Sequence, residues 1–253
     1  MTGELKAPER ALAIGAHPDD IDFNCAGTLA KWARGGCSVF YLVLTDGSRG
    51  SWDPDEDPAS LVVARRHEQL AAHSVVCGLE HARSRERVSF LASPDGELEP
   101  GLRQRAEVCA AIRSVQPDVV LGHDPWRRYR LHPDHRNAGF LTTDGIVAAR
   151  DPLFFPEQAL APHRPSTLLL FEAEDPDHAE DVNAFADVKL AALLEHKSQL
   201  RTTMGISANL DDDDGVWSEQ VATFASRLAT RQAEAGRPFG LALAETFKRI
   251  DLH

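Results

Sequence analysis

Aromatic side chains are scarce in this chain, 7% of its 253 residues, and only two of them are tyrosines. A surface that stacks nucleotide bases needs several, so a single-stranded nucleic acid is not an expected partner. Positive charge is also short. The 27 Lys and Arg stand against 39 Asp and Glu, a net charge of -12 at neutral pH. Nucleic acid and anionic membrane both draw basic faces, which argues against either. No apolar run comes near the roughly 20 residues that span a bilayer. The longest, near Val39–Leu44 and Leu168–Phe171, are of strand length. The first ten residues, Met1 to Arg10, are polar and carry both charge signs, without the apolar stretch of an export signal. The four cysteines, Cys25, Cys37, Cys77 and Cys109, form no C-x-x-C pair. They read as reduced, buried thiols, and the expected location is cytoplasmic. The glycine-rich signatures G-x-G-x-x-G and G-x-x-x-x-G-K-S/T and the nucleophile motif G-x-S-x-G are missing.

What is present is a globular composition, 43% hydrophobic and 26% charged. Apolar runs at Ala11–Ala16, Ser38–Leu44, Asp118–Leu121 and Thr167–Phe171 read as buried strands, with a shorter one at Arg87–Leu91. Helical spacing fills the intervals at Ala26–Arg34, Leu61–His73, Leu102–Val115 and Asn137–Ala149, and later at Val188–Leu200 and Val216–Ala235. Strand and helix alternate, and the strands are continuous rather than alternating in polarity. The expected fold is therefore α/β, a Rossmann-like three-layer sandwich with a mostly parallel central sheet. No internal repeat or linker divides the chain, so residues 1–253 read as one domain, with the Pro-rich Asp151–Pro165 as a loop. The acidic run Asp211–Asp214 lacks the alternating spacing of a calcium loop and reads as a solvated turn.

In an open parallel sheet, functional groups gather just past the carboxyl ends of strands. Two clusters fall there: His17-Pro18-Asp19-Asp20 after the first strand, and His132-Pro133-Asp134-His135 after the fourth. Either alone could be a helix cap. Together they point to one metal ion, since imidazoles and a carboxylate are a standard zinc set that leaves a position open for water. His17 and Asp20 can supply two ligands from one turn, and His135 or His132 a third. A neighbouring carboxylate can then take a proton from water, and a neighbouring histidine can donate to a developing oxyanion. Such a set suits hydrolysis of an amide or ester. Similar ligands serve Fe(II) oxygenases, and iron is compatible with the set. Near these clusters lie His123-Asp124, the loop Trp126–Arg130 with three arginines, and the loop Asp46–Trp52. Arg49 and Trp52 of the last loop have the chemistry to meet a sugar or an acyl group, or only solvent.

The motifs Ala16-His17-Pro18-Asp19-Asp20 and His132-Pro133-Asp134-His135-Arg136 resemble those of the zinc-dependent de-N-acetylases of the PIG-L/LmbE type. Arg65-Arg66-His67-Glu68, the Pro94-Asp95-Gly96 turn, Lys189 with His196-Lys197-Ser198-Gln199, and Ala244-Glu245-Thr246-Phe247 are similar to lesser motifs of that family. The resemblance covers about residues 10–250. It implies a Rossmann-like layered fold, one divalent ion, zinc or another such as Fe2+, and removal of an N-acyl group, acetyl above all, from an amino-sugar-containing small molecule. It further implies that His17, Asp20 and His135 hold the metal and that Asp19 is the general base. His132 would stabilise the oxyanion or protonate the leaving amine, and Asp134 would fix the tautomer of His132. Arg65 and Asp95 match positions used for substrate hydroxyls, and Arg49 joins them as a candidate. A homo-oligomer is compatible with all of this. The competing readings are a non-catalytic binder of metal or glycoside and a metal-dependent esterase; the free carboxylate of Asp19 favours an enzyme.

Overall fold

In the computed structural model, which describes residues 4–207 and 215–252, the apolar runs become the centre of a seven-stranded sheet. The strands are β1 (Arg10–Gly15), β2 (Ser38–Thr45), β3 (Val88–Ser93), β4 (Val119–His123), β5 (Thr167–Phe171), β6 (His178–Asp181) and β7 (Ala244–Asp251), in the spatial order β3-β2-β1-β4-β5-β7-β6. The first five run parallel, β7 pairs antiparallel with β5, and β6 pairs antiparallel with β7. The helices are α1 (Asp20–Arg34), α2 (Pro58–Cys77), the single turn α3 (His81–Ser84), α4 (Leu102–Val115), α5 (Pro133–Arg150), α6 (Ala186–Leu194) and α7 (Val216–Gly236).

Both faces of the sheet are covered. On β1, Ala11 and Ala13 belong to the apolar core beneath α1 and α2, while Leu12 and Ile14 belong to the one beneath α4 and α5. That division is why the strands are apolar at every position. A third, smaller cluster ties α7 to the segment after α6 through Phe224, Leu228, Met204 and Ile206. The three-layer α/β architecture with a mostly parallel sheet is thus as expected. No described helix is long and apolar enough to cross a membrane. The Asp211–Asp214 run lies outside the described residues.

Some element bounds differ from the sequence reading. Helix α1 begins at Asp20, not Ala26, because a break at Cys25 (φ -145°, ψ 15°) interrupts the apolar spacing of one continuous helix. Strands β6 and β7 escaped notice, since His178–Asp181 and Ala244–Asp251 carry charged residues rather than an apolar run. Helix α6 stops at Leu194 and gives way to 3-10 and π turns through Met204, which swing His196 inward to Asp22 and Gln199 toward Gly50. All four cysteines are free, and burial pushes the thiols of Cys37 and Cys77 up to about 12.

The break in α1 has its own cap. The freed amides of Gly27 and Thr28 donate to the two carboxylate oxygens of Glu245 at 3.0 and 2.7 Å, and Lys189 Nζ donates to the same carboxylate at 2.6 Å. Residue 27 must be glycine, because a Cβ there would sit 2.9 Å from the side chain of Val182. Lys189 is only 2% exposed, so removal of Glu245 strands a buried cation. Glu245→Ala should therefore cost about 3–5 kcal/mol in urea unfolding. Lys189→Met combined with Glu245→Gln should recover part of that loss, and a Glu245→Ala protein as stable as the parent would refute this role.

Candidate active site

Strand order reverses at β1, with β2 and β3 on one side and β4 and β5 on the other, so the loops after β1 and β4 part and leave a crevice. Both histidine clusters enter it. After β1 the chain turns so tightly that the amide of His17 donates to Asp20 Oδ2 at 2.8 Å. After β4, Pro133 starts α5 and His135 lies in its first turn. His17 Nδ1 lies 3.1 Å from His135 Nε2 and 3.4 Å from Asp20 Oδ2, and His135 Nε2 lies 3.3 Å from Asp20 Oδ1. Donors bound at about 2.0–2.2 Å to one tetrahedral ion stand roughly 3.3–3.5 Å apart, so the spacing of His17 and His135 suits a zinc-sized cation, with Asp20 turning one oxygen to each ring; the groups His17, His132, His135 and Asp20, His123, His135 each bring three donor atoms within 4.8 Å of one another.

The far side of the His17 ring supports the same fit. Its Nε2 faces Asp95 Oδ1 at 3.1 Å and Asp134 Oδ2 at 3.2 Å. Two carboxylates there keep the proton on Nε2 and leave the Nδ1 lone pair for a metal, the usual pattern behind a ligating histidine. Burial opposes a charge on His17, yet hydrogen bonds to Asp134, Asp20 and Asp95 raise its pKa well above the ordinary value. Burial likewise works against the charge of Asp20, but His135 and His123 hold its carboxyl well below the usual range. Burial pushes His135 down to about 4, a neutral imidazole with a lone pair to give.

Asp134, which the resemblance sets to hold His132, faces His17 here. It is fully buried in the first turn of α5, where it accepts from the Gly96 amide at 2.6 Å and the Leu98 amide at 3.2 Å and turns its remaining capacity to His17. The exposed His132 instead packs against rings: its centroid lies 4.7 Å from His17, edge-on, and 4.8 Å from His135, stacked. Burial and the neighbouring His17 lower its pKa.

Asp19 sits beside this cluster in a backbone conformation that non-glycine residues rarely take, φ 98°. Its amide donates to Gln69 Oε1 at 2.9 Å, and its carboxylate lies 3.3 Å from Arg65 Nη2. Burial raises its pKa to about 6 against the opposing pull of Arg65. Strain of this kind persists where the surroundings enforce it and is concentrated at functional sites. Arg65 and Asp95, expected at substrate hydroxyls, are largely engaged by the protein. Arg65 donates to Gly47 O at 3.0 Å and Pro18 O at 2.6 Å; Asp95 faces His17 and accepts from the Arg49 amide at 3.3 Å. Arg49 is exposed at the rim, with its guanidinium on the Asp95 carbonyl and Glu97.

His123 and Glu172 complete the cluster. His123 Nε2 is 3.2 Å from Asp20 Oδ2 and its Nδ1 is 3.1 Å from Glu172 Oε2. His123 was within view of the sequence reading, but Glu172 was missed. Its one signal is position, the first residue past β5 at the same sheet edge. Burial opposes its charge, but His123 and Arg130 hold its pKa down at about 2. Arg130, which also touches His135, and Arg127 pair with Glu172, and Arg128 pairs with Glu174, so the arginines of the Trp126–Arg130 loop already have carboxylate partners. Trp52 is 71% exposed. A cavity of about 650 Å³ opens over His17, Asp19, Asp20, His132 and His135.

A mostly parallel sheet with histidine and aspartate donors gathered past its strand ends, beside an open cavity, is an arrangement suited to an α/β hydrolase with a possible metal site. The chain belongs to the PIG-L family, whose sequence profile, described as GlcNAc-PI de-N-acetylase, matches residues 12–146. It is 32% identical over 194 residues to the diacetylchitobiose deacetylase of Thermococcus kodakarensis, covering 76% of this chain and 70% of the relative. It is 29% identical over 176 residues to the 1D-myo-inositol 2-acetamido-2-deoxy-alpha-D-glucopyranoside deacetylase of Kineococcus radiotolerans, covering 57% of this chain but only 46% of that relative. Among solved structures, the N,N'-diacetylchitobiose deacetylase of Pyrococcus horikoshii superposes with a TM-score of 0.81 at 26% identity, over 96% of this chain and 84% of that one.

Proposed function

We propose that this protein is a zinc-dependent N-deacetylase that removes the acetyl group from an N-acetylated amino sugar within a small glycoside or glycoconjugate. One observation carries the reading: His17 Nδ1 and His135 Nε2 lie 3.1 Å apart with an oxygen of Asp20 within 3.4 Å of each, and the carboxylate of Asp19 lies beside them on Arg65. Family membership and the deacetylase relatives support it.

His17, Asp20 and His135 would hold a divalent ion, which when bound would supply Lewis acidity toward water and the acyl carbonyl. The rest of the reaction falls to the chain. Asp19 accepts the proton of the attacking water as its oxygen bonds to the amide carbon, with Arg65 holding the carboxylate in place. His132, exposed at the cavity mouth beside the His17 and His135 rings, donates to the oxyanion or to the departing nitrogen as the C–N bond breaks. The acyl group leaves as a carboxylate and the sugar as its free amine. Asp95 and Asp134 keep His17 in the tautomer that presents Nδ1, and His123 with Glu172 steadies Asp20.

The test is acetate release from a panel of N-acetylglucosaminides. Release should stop on treatment with a chelator and resume with Zn2+. Full turnover by a preparation free of metal on elemental analysis would overturn the reading.

A further inference from the structure

The turn at Asp19 needs something to hold it. A non-glycine residue at φ 98° is strained and persists only where its surroundings over-determine it. That angle is set by the plane of the peptide between Pro18 and Asp19. Two side chains of α2 hold the plane, one at its oxygen and one at its nitrogen. Arg65 Nη2 donates to the Pro18 carbonyl at 2.6 Å, and Gln69 Oε1 accepts from the Asp19 amide at 2.9 Å. Residues 65 and 69 are four apart, so they stand a turn from each other on one face of the helix. A single rigid element thus grips both ends of the strained peptide.

Gln69 is itself oriented from behind. It is fully buried, as is Asp22, and neither lines the cavity. Gln69 Nε2 donates to Asp22 Oδ2 at 2.6 Å. His196 Nε2 lies 2.9 Å from the same oxygen, and the Tyr41 hydroxyl donates to Oδ1 at 3.1 Å. A carboxylate accepts, so the Gln69 amide must turn its nitrogen to Asp22 and its oxygen to Asp19. Reversed, it would set its NH2 against the Asp19 N–H and leave a buried donor unpaired. Asp22 is therefore the group that makes Gln69 an acceptor. Through it, α1, β2 and the turns after α6 all bear on one backbone amide.

We propose that Gln69, oriented by Asp22, is a positioning residue: it fixes the Pro18–Asp19 peptide and, through it, the direction of the Asp19 carboxylate. This rests on the deacetylase reading above, in which Asp19 takes the proton of the attacking water. The whole effect of Gln69 on turnover passes through Asp19.

Gln69→Met keeps the length of the side chain and removes both polar atoms. The metal-loaded variant should lose roughly 10–100-fold in kcat, the cost of displacing a catalytic group by about 1 Å, with KM within about twofold. The double variant with Asp19→Asn should turn over no more slowly than Asp19→Asn alone, because there the base is already gone. A second readout needs no turnover. Exchange of the Asp19 amide hydrogen, followed by NMR, should quicken about tenfold or more in Gln69→Met, while the amides of β1 keep their rates. Gln69→Leu stands in if the methionine variant folds poorly. Turnover equal to the parent's, an equal fractional loss in the Asp19→Asn background, or unchanged exchange at Asp19 would each overturn the proposal. Absence of acetate release by the parent would instead strike the deacetylase reading, and the exchange comparison would still decide whether Gln69 holds the peptide.

Discussion

Asp20→Ala should leave the purified protein with less than about a tenth of its normal metal and no deacetylation above background. Removing a group that merely supports a ligand commonly lowers metal affinity about 10–100-fold, and in the proposed reading Asp20 is itself one of the three ligands. It is also the carboxylate that the other donors share, with His17 and His135 both within 3.4 Å of it. Without its charge, the imidazoles must hold a dication with no anionic ligand. The fold should survive, because Asp20 lies in a crevice and no apolar core depends on it. Elemental analysis beside a thermal melt decides the matter. A folded Asp20→Ala protein with stoichiometric metal would remove Asp20 from the ligand set and promote Glu172 or Asp95 in its place.

Asp19→Asn should keep its metal and lose about 10²–10⁴ in kcat, the usual worth of a general base. Asparagine has the same shape and can still meet Arg65, so positioning is retained while the basic oxygen is lost. KM should change little, because the proton is taken only as the water attacks. The two neighbouring aspartates are thereby separated by different measurements, metal content for Asp20 and turnover for Asp19. A metal-free Asp19→Asn would reverse their assignment, and undiminished turnover would mean that the proton goes elsewhere.

The histidine and aspartate groups gathered in the crevice were legible in the sequence because each pair lies within one turn of chain. His17 with Asp20, and His132 with His135, keep a fixed spacing that pattern reading can see. Glu172 has no such spacing. A lone glutamate after a strand gains meaning only when distant segments converge. The contacts of Asp134 have a similar origin: the resemblance sets it to hold His132, whereas the first turn of α5 aims its carboxylate down at His17 and the Gly96 amide. The five central strands could be read because burial on both faces makes them apolar throughout. Strands β6 and β7 could not, since half-exposed residues such as Asp181, Lys248 and Arg249 break the run.

The capping of the α1 break by Glu245 sets an order of events during synthesis. The amide of Gly27 and its acceptor are 218 residues apart, so a ribosome has released His17 and Asp20 long before the carboxylate that finishes their helix exists. Closing so long a loop adds only a few kcal/mol of chain entropy, yet contacts this distant in sequence form slowly. A nascent chain therefore carries the first histidine–aspartate cluster beside an unfinished helix until β7 has been made. Secure filling of the proposed metal site belongs after β7 has docked beside the first helix.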